Sequence, residues 1–362
     1  MRTAWPIWLV LLLLLFTGAV AAEQSEGERR YGIHVVNMGA GDDLFSRFGH
    51  IALMVSDRQG RVDKVYNFGT FDFSDPDLQL RYARGYLDYW LSVDSWPSLL
   101  RRYQYYDRDV WLRTLDLDRE QALEVKRRLE ENARPENRVY AYRHYLDNCC
   151  TRIRDLLDDV LDGAISSGRD QEPTDRTFRS WTRRALAGLP VMQSIILFSL
   201  GPAIDRPITR WDEQFLPEVL VEDLDRVHNP RTGRPLVSRN RHLVQRQGPP
   251  VGNDPPGWEI ATIAVAAGLL LLGLALPAVL GARSKAPLRL AGIGLIAWGL
   301  LAGLGGLMLV LYWTVTTHTD TWYNENLLVW PVTHLWLLGP GFKLVVRARL
   351  GERAARLVGQ YL

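Results

Sequence analysis

The stretch "YLDNCCTRIRDLL" (145–157) holds both cysteines of the 362-residue chain, side by side. Asn148 is a good helix N-cap, because its side chain can accept a hydrogen bond from a free first-turn amide. Ile153, Leu156, Leu157 and Val160 follow at helical spacing, so the segment reads as an amphipathic helix. Cys149 then sits in the first turn, where the helix dipole stabilises negative charge and a thiol ionises more readily. Arg152 adds positive charge three residues on. Cys149 shares the apolar face and is expected to point toward a sheet. Cys150 shares a face with Arg154 and Asp158 and is expected to point to solvent.

The meaning of two adjacent thiols depends on the compartment. The chain opens "MRTAWPIWLVLLLLLFTGAVAAEQ" (1–24), one arginine before an apolar run, with an A-x-A pattern at Ala19–Ala21. Residues 1–22 are read as a signal peptide, cut after Ala21 or Ala22 or retained as an anchor. Three apolar segments, roughly 258–281, 289–313 and 327–346, each approach the ~20 residues that span a bilayer. The third contains Pro331, Gly339 and Pro340, which leaves a kinked or re-entrant course open. Arg283, Lys285 and Arg289 lie between the first two, the tail is basic, and 314–326 has no Lys or Arg. The positive-inside rule then puts 23–257 and 314–326 outside the cytoplasm.

The predicted organisation is a signal peptide (1–22), a periplasmic domain (23–227), a Pro-, Gly- and Arg-rich linker (228–257), three transmembrane helices (258–346) and a cytoplasmic basic tail (347–362). A net charge of +2, without basic runs interleaved with aromatics, gives no sign of nucleic acid as a partner. Outside the cytoplasm an even number of cysteines normally means disulfides. Sequence neighbours are poorly placed for one, because a normal bridge needs separated Cα atoms. Chemistry, ordinary burial and a strained vicinal bridge all remain open.

Along the exported region, 31–39, 50–57 and 62–71 read as strands of an antiparallel meander. The loop 39–50 carries a short helical turn. A helix is expected at 74–93, one or two strands at 99–117, a helix at 118–135 capped by Asp118, and a strand at 136–145. Helices are also expected around 177–186, 192–200 and 212–227, the last interrupted at Pro217.

A thiol nucleophile needs a base, and histidine is the usual one. His228 and His242 lie in linker-like sequence, His144 precedes the cysteine helix, and His34 is mid-strand. His50 starts a strand after a glycine, where its ring can reach the mouth of a cleft. Asn67, in "VYNFG" on the next strand, is placed to hold the imidazole in one tautomer, as the third member of a triad does.

These residues also carry a resemblance. "GAGDDLFSRFGHIALMV" (39–55), "VYNFGTFDF" (65–73) and "ENRVYAYRHYLDNCCTRIRDLL" (136–157) occur in the order seen in the N-terminal periplasmic domain of the Lnb family of bacterial lipoprotein N-acyltransferases, which the chain resembles. "FLPEVL" (215–220) and "THTDTWYNENLL" (317–328) also resemble family segments. The histidine-then-cysteine order is similar to that of permuted papain-type folds. The resemblance implies an α+β, permuted papain-like (NlpC-like) extracytoplasmic domain followed by a C-terminal α-helical membrane bundle. It implies a cysteine acyltransferase of the bacterial inner membrane with Cys149 as nucleophile and His50 as base. The acyl donor would be a phospholipid or an acyl chain of the lipoprotein itself, and the acceptor a diacylated lipoprotein. The position of Cys150 is one where a small residue such as serine is expected.

Substrate contacts are expected from Asn148 and Arg152 beside the thiol. The loop with His318, Asn324 and Asn326 is read either as a head-group contact or as a polar turn anchored by Trp322 and Tyr323. No HExxH or paired CxxC pattern points to a metal, and no cofactor is called for. Two rivals stand beside this reading: a cell-wall peptidase or amidase using the same Cys149 and His50, and a non-catalytic lipid- or lipoprotein-binding module.

Overall fold

A computed structural model describes residues 31–57, 63–71, 88–251 and 285–349, with single positions 77, 81, 84, 85, 267 and 268. The expected signal peptide, the first apolar segment (258–281) and the tail from 350 lie outside the described residues. The chain forms two compact units, one made of residues up to 71, 88–173 and 209–249, the other of 72–87, 174–208 and 250 onward.

The first unit is built on an antiparallel sheet of β1 (Tyr31–Met38), β2 (His50–Asp57), β3 (Asp63–Thr70), β4 (Asp88–Ser95), β5 (Val110–Leu115), β6 (Val139–Ala141) and β7 (Val237–Val244). Their spatial order is β6-β4-β3-β2-β1-β5-β7. Val36, Met38, Ala52, Met54, Val65, Val110 and Leu112 form one core with Leu99 and Tyr103 of α1 (Trp96–Tyr105). The alternate residues Ile33, Val35, Ile51 and Leu53 are buried too, so both faces are covered. The helix α2 (Arg119–Asn132) packs on β1, and α3 (Cys149–Val160) packs on β2, β3 and α2. Asp118 caps α2 through a capping box with Gln121, as the sequence predicts.

Three segments differ from the expectation. Residues 88–95 are strand β4 rather than the end of a helix, because Tyr89 and Leu91 bury on alternate positions of the sheet. Residues 96–105 are helical rather than extended: Pro97 sits in the first turn and Leu99 and Tyr103 share a face. The stretch read as a linker returns to the sheet as β7, paired with β5. Asn229, fully buried, fixes that return by bonding the Asp116 carbonyl and the Gln121 amide.

The second unit contains α4 (Phe178–Ala185), α5 (Pro190–Ser199), α8 (Lys285–Thr314) and α9 (Leu338–Arg347); α6 (Arg210–Glu213) and α7 (Pro217–Leu224) belong to the first. Among the described residues one helix is long and apolar enough to cross a membrane, Leu288–Thr314, with mean hydropathy 2.1. The third apolar segment is not one continuous helix. It is broken into 3₁₀ turns at Glu325–Leu328 and Val332–Leu337 before α9, and Pro331 sits at a break. This segment lies directly against α8. A methyl on Gly306 would run into the Trp330 carbonyl oxygen, so only a glycine lets the two backbones meet. Gly306→Leu is expected to lower the melting temperature of the detergent-solubilised protein, an overpacking cost of about 1–3 kcal/mol. Leu304→Ala, on an exposed side of the same helix, is expected to leave it nearly unchanged.

Candidate active site

The start of α3 is fixed by Asn148. Its Oδ1 accepts the amides of Cys150 at 2.8 Å and Thr151 at 3.0 Å, while Thr151 Oγ1 accepts the Asn148 amide at 2.9 Å. Its Nδ2 donates to the carbonyls of His144 and Phe215 at 2.8 and 2.9 Å. The predicted cap is thus present, and the side chain is buried and fully bonded within the fold. The Cys150 and Thr151 amides are occupied by the same cap.

Cys149 meets His50 of the sheet, as the helical wheel predicts, but Cys150 does not point to solvent. Cys150 is fully buried and Cys149 is half-buried. The face of Cys150 and Arg154 is not solvated: both residues are buried. The Arg154 guanidinium stacks 3.7 Å from the Trp211 ring and donates to the Trp211 carbonyl. Both cysteines are free thiols, with sulfurs 4.0 Å apart.

The base is delivered by the sheet. His50 opens β2 opposite Met38, and Asn67 lies on the neighbouring β3. His50 Nε2 meets Asn67 Oδ1 at 2.5 Å, which fixes the tautomer and leaves Nδ1 for the sulfur. The imidazole hydrogen-bonds the Cys149 side chain. The three residues brought together here are those the sequence singled out.

The electrostatics favour a thiolate on Cys149 and a charged His50 beside it. The neighbouring Cys150 thiol, the His50 charge and hydrogen bond, and the backbone of Ile51 hold Cys149 well below the ordinary thiol range of 9.0, against burial, which raises it. Burial would lower His50, but the Cys149 sulfur and Asn67 raise it above 6.5. Burial and then the Cys149 sulfur push Cys150 well above the usual thiol range, so it stays protonated. One thiol is armed and its neighbour is not.

The other histidines are occupied differently. His34 is bonded at both nitrogens, to Thr114 and Ser56, and burial lowers it to about 4. His144 packs edge-on to Phe48 and is also lowered to about 4 by burial. His242 stacks on Trp111 and pairs with Asp109. Arg152 is bidentate with Asp147 at 2.6 and 2.8 Å and lies 3.7 Å over the Tyr140 ring. His318, Asn324 and Asn326 fall in the second unit. There Asn324 and Asn326 donate to the carbonyls of Phe198 and Leu200 and line a cavity of ≈ 480 Å³ with Arg179, Gln193 and Asp205.

Two groups at the site escape the sequence reading. Tyr140 Oη is buried beside the pair with no hydrogen-bond partner among the described residues, and Arg108 Nη2 is in the same condition. The Arg108 charge acts on both His50 and Cys149. Arg108 lies in none of the quoted motifs, while Tyr140 lies in the segment that carries Cys149 but nothing in its local spacing marks it as a site residue; the approach of both is made by the sheet.

Residues 31–184 match the Lnb N-terminal periplasmic domain. No curated protein and no solved structure matches the chain.

The thiolate and the charged histidine set a pH signature. Cys149 lies below its ordinary value, so iodoacetamide alkylation at Cys149, read by mass spectrometry, is expected to stay fast as pH falls from 9 through neutrality. Cys150 is expected to remain unlabelled over that range. His50→Ala removes the partner charge and is expected to move the Cys149 profile upward toward that of an ordinary thiol.

Proposed function

Residues 31–184 match the Lnb N-terminal periplasmic domain family, and from that premise we propose that the chain is a membrane-anchored thiol acyltransferase acting on lipoproteins. The family match points to a lipoprotein-related function. The Cys149–His50–Asn67 chain supports the finer reading, because it joins a nucleophile, a base and an orienting group in hydrogen-bonding sequence.

The Cys149 thiolate attacks the carbonyl of an acyl ester, on a phospholipid or on the lipoprotein's own lipid. The S–C bond forms and the carbonyl electron pair moves to oxygen. On collapse the C–O bond breaks, and the His50 imidazolium gives its proton to the leaving alkoxide. The lipoprotein's N-terminal amine then attacks the thioester, His50 takes the amine proton, and the thiolate departs. Thioester to amide is downhill, so the transfer needs no nucleotide.

A permuted papain-like arrangement fits this chemistry, since the histidine-bearing strand precedes the cysteine helix in the chain. An inner-membrane location, with residues 23–257 and 314–326 on the periplasmic side and a bundle of membrane helices behind them, would hold the site where both lipid and lipoprotein are found. In the second unit, the cavity lined by Asn324 and Asn326 is the place we assign to a lipid head group, with His318 nearby in sequence.

The test is expression of the wild type and of Cys149→Ser, His50→Ala and Cys150→Ser in cells whose own lipoprotein N-acylation is switched off. Mass spectrometry of one reporter lipoprotein reads the N-terminal lipopeptide. The wild type and Cys150→Ser are expected to yield the N-acylated form. Cys149→Ser is expected to yield none, and His50→Ala to lose about 10²–10⁴-fold in rate. The total number of acyl chains separates a phospholipid donor from an internal one. An unchanged reporter with the wild type, together with cleaved wall peptides, would sink the transferase reading in favour of a hydrolase.

A further inference from the structure

An acyl transfer through Cys149 generates negative charge on the carbonyl oxygen twice, and that charge needs donors placed in advance. The start of α3 is the obvious source, but the Asn148 side chain already occupies the amides of Cys150 and Thr151. A further donor must come from elsewhere in the site.

Three side chains converge on one point. A methyl placed on Gly69 would lie 3.7 Å from His50 Cε1, 3.8 Å from Tyr140 Oη and 3.9 Å from Cys149 Cβ. Gly69 has φ +90° and stands at the irregularity in the β3–β4 pairing between Asn67 and Thr70. The backbone is thus bent at the site and leaves an unfilled position among base, nucleophile and phenol. The Tyr140 hydroxyl is buried and has no hydrogen-bond partner among the described residues. Such a group is costly to leave unmatched, and a partner that arrives with the reaction is one resolution of the cost. The ring itself is held: Phe68 packs edge-on to it and the Arg152 guanidinium lies 3.7 Å over its centre, itself fixed by Asp147. Burial, followed by the Cys149 charge, keeps the phenol protonated and therefore a donor.

We propose that Tyr140 is a catalytic residue whose hydroxyl donates a hydrogen bond to the tetrahedral oxyanion formed at Cys149, in the space Gly69 leaves open, with Arg152 positioning its ring. This rests on the acyltransferase reading. No proton is transferred by Tyr140: the O–H stays intact while the S–C bond forms and later while the amine displaces the thiolate.

The experiment uses the full-length chain in detergent and a p-nitrophenyl acyl ester, whose burst of p-nitrophenolate reports acylation of Cys149 without any lipoprotein acceptor. In parallel, the pH profile of Cys149 alkylation by iodoacetamide reports the thiolate alone. Tyr140→Phe is expected to slow the burst about 10²–10³-fold, the usual loss for one oxyanion donor, with the alkylation profile unmoved. Replacement of Tyr140 by 3,5-difluorotyrosine keeps the hydroxyl and is expected to hold the burst within a few-fold of wild type, which separates the lost donor from lost packing. A Tyr140→Phe burst equal to wild type overturns the proposal. So does a burst that falls only in step with a shifted alkylation profile, because Tyr140 would then act on the thiolate. A wild-type burst that depends on Cys149 and Tyr140 without N-acylation in cells upholds the role of Tyr140 and removes the acceptor assignment. The absence of any Cys149-dependent burst removes both.

Discussion

The site depends on one buried asparagine. Asn148 uses both ends of its amide within the fold, two acceptances at Oδ1 and two donations at Nδ2. The acceptances start α3. The donations tie that start to the turn at His144 and to the segment at Phe215, 67 residues away in the chain. A helix start buried without such partners would carry orphan amides in the interior. With them, Cys149 is set in the first turn at a fixed place, half-buried and facing the strand ends.

The rest of the site is a matter of which group the fold leaves unmatched. His34 has both ring nitrogens bonded and is held neutral by burial. His50 has one nitrogen held by Asn67 and its hydrogen bond to Cys149 is to a group that ionises. Burial disfavours each charge taken singly, but the thiolate and imidazolium compensate each other. The same low-polarity surroundings keep Cys150 and Tyr140 protonated.

The covering of α3 explains why helical periodicity misplaced Cys150. Periodicity identifies an apolar face but assumes that the opposite face is wet. Here Arg154 lies buried against Trp211, and its charge is matched by the Asp155 carboxylate and the Trp211 carbonyl. A charged residue therefore marked a buried face. The strand β7 was hidden for a related reason. Its residues "VSRNRHLV" are largely exposed on one edge of the sheet, and an edge strand needs little apolar alternation.

By itself the sequence determined the central meander, the Asp118 and Asn148 caps, the helix that carries the cysteines and a long apolar helix near 289–313, and it singled out His50, Asn67 and Cys149, which the fold brings together. Each of these is written in local spacing, turn chemistry or cap chemistry, which act over a few residues. Tertiary structure alone decided that Cys150 is buried, that Arg152 lies over Tyr140 rather than in open solvent, that 237–244 joins the sheet, and where the third apolar segment, already marked by Pro331, breaks against α8. It also decided that the Tyr140 phenol, without a hydrogen-bond partner among the described residues, stands beside Cys149. Those outcomes depend on contacts between segments remote in the chain, and burial by a distant partner leaves no periodic mark on the segment it covers.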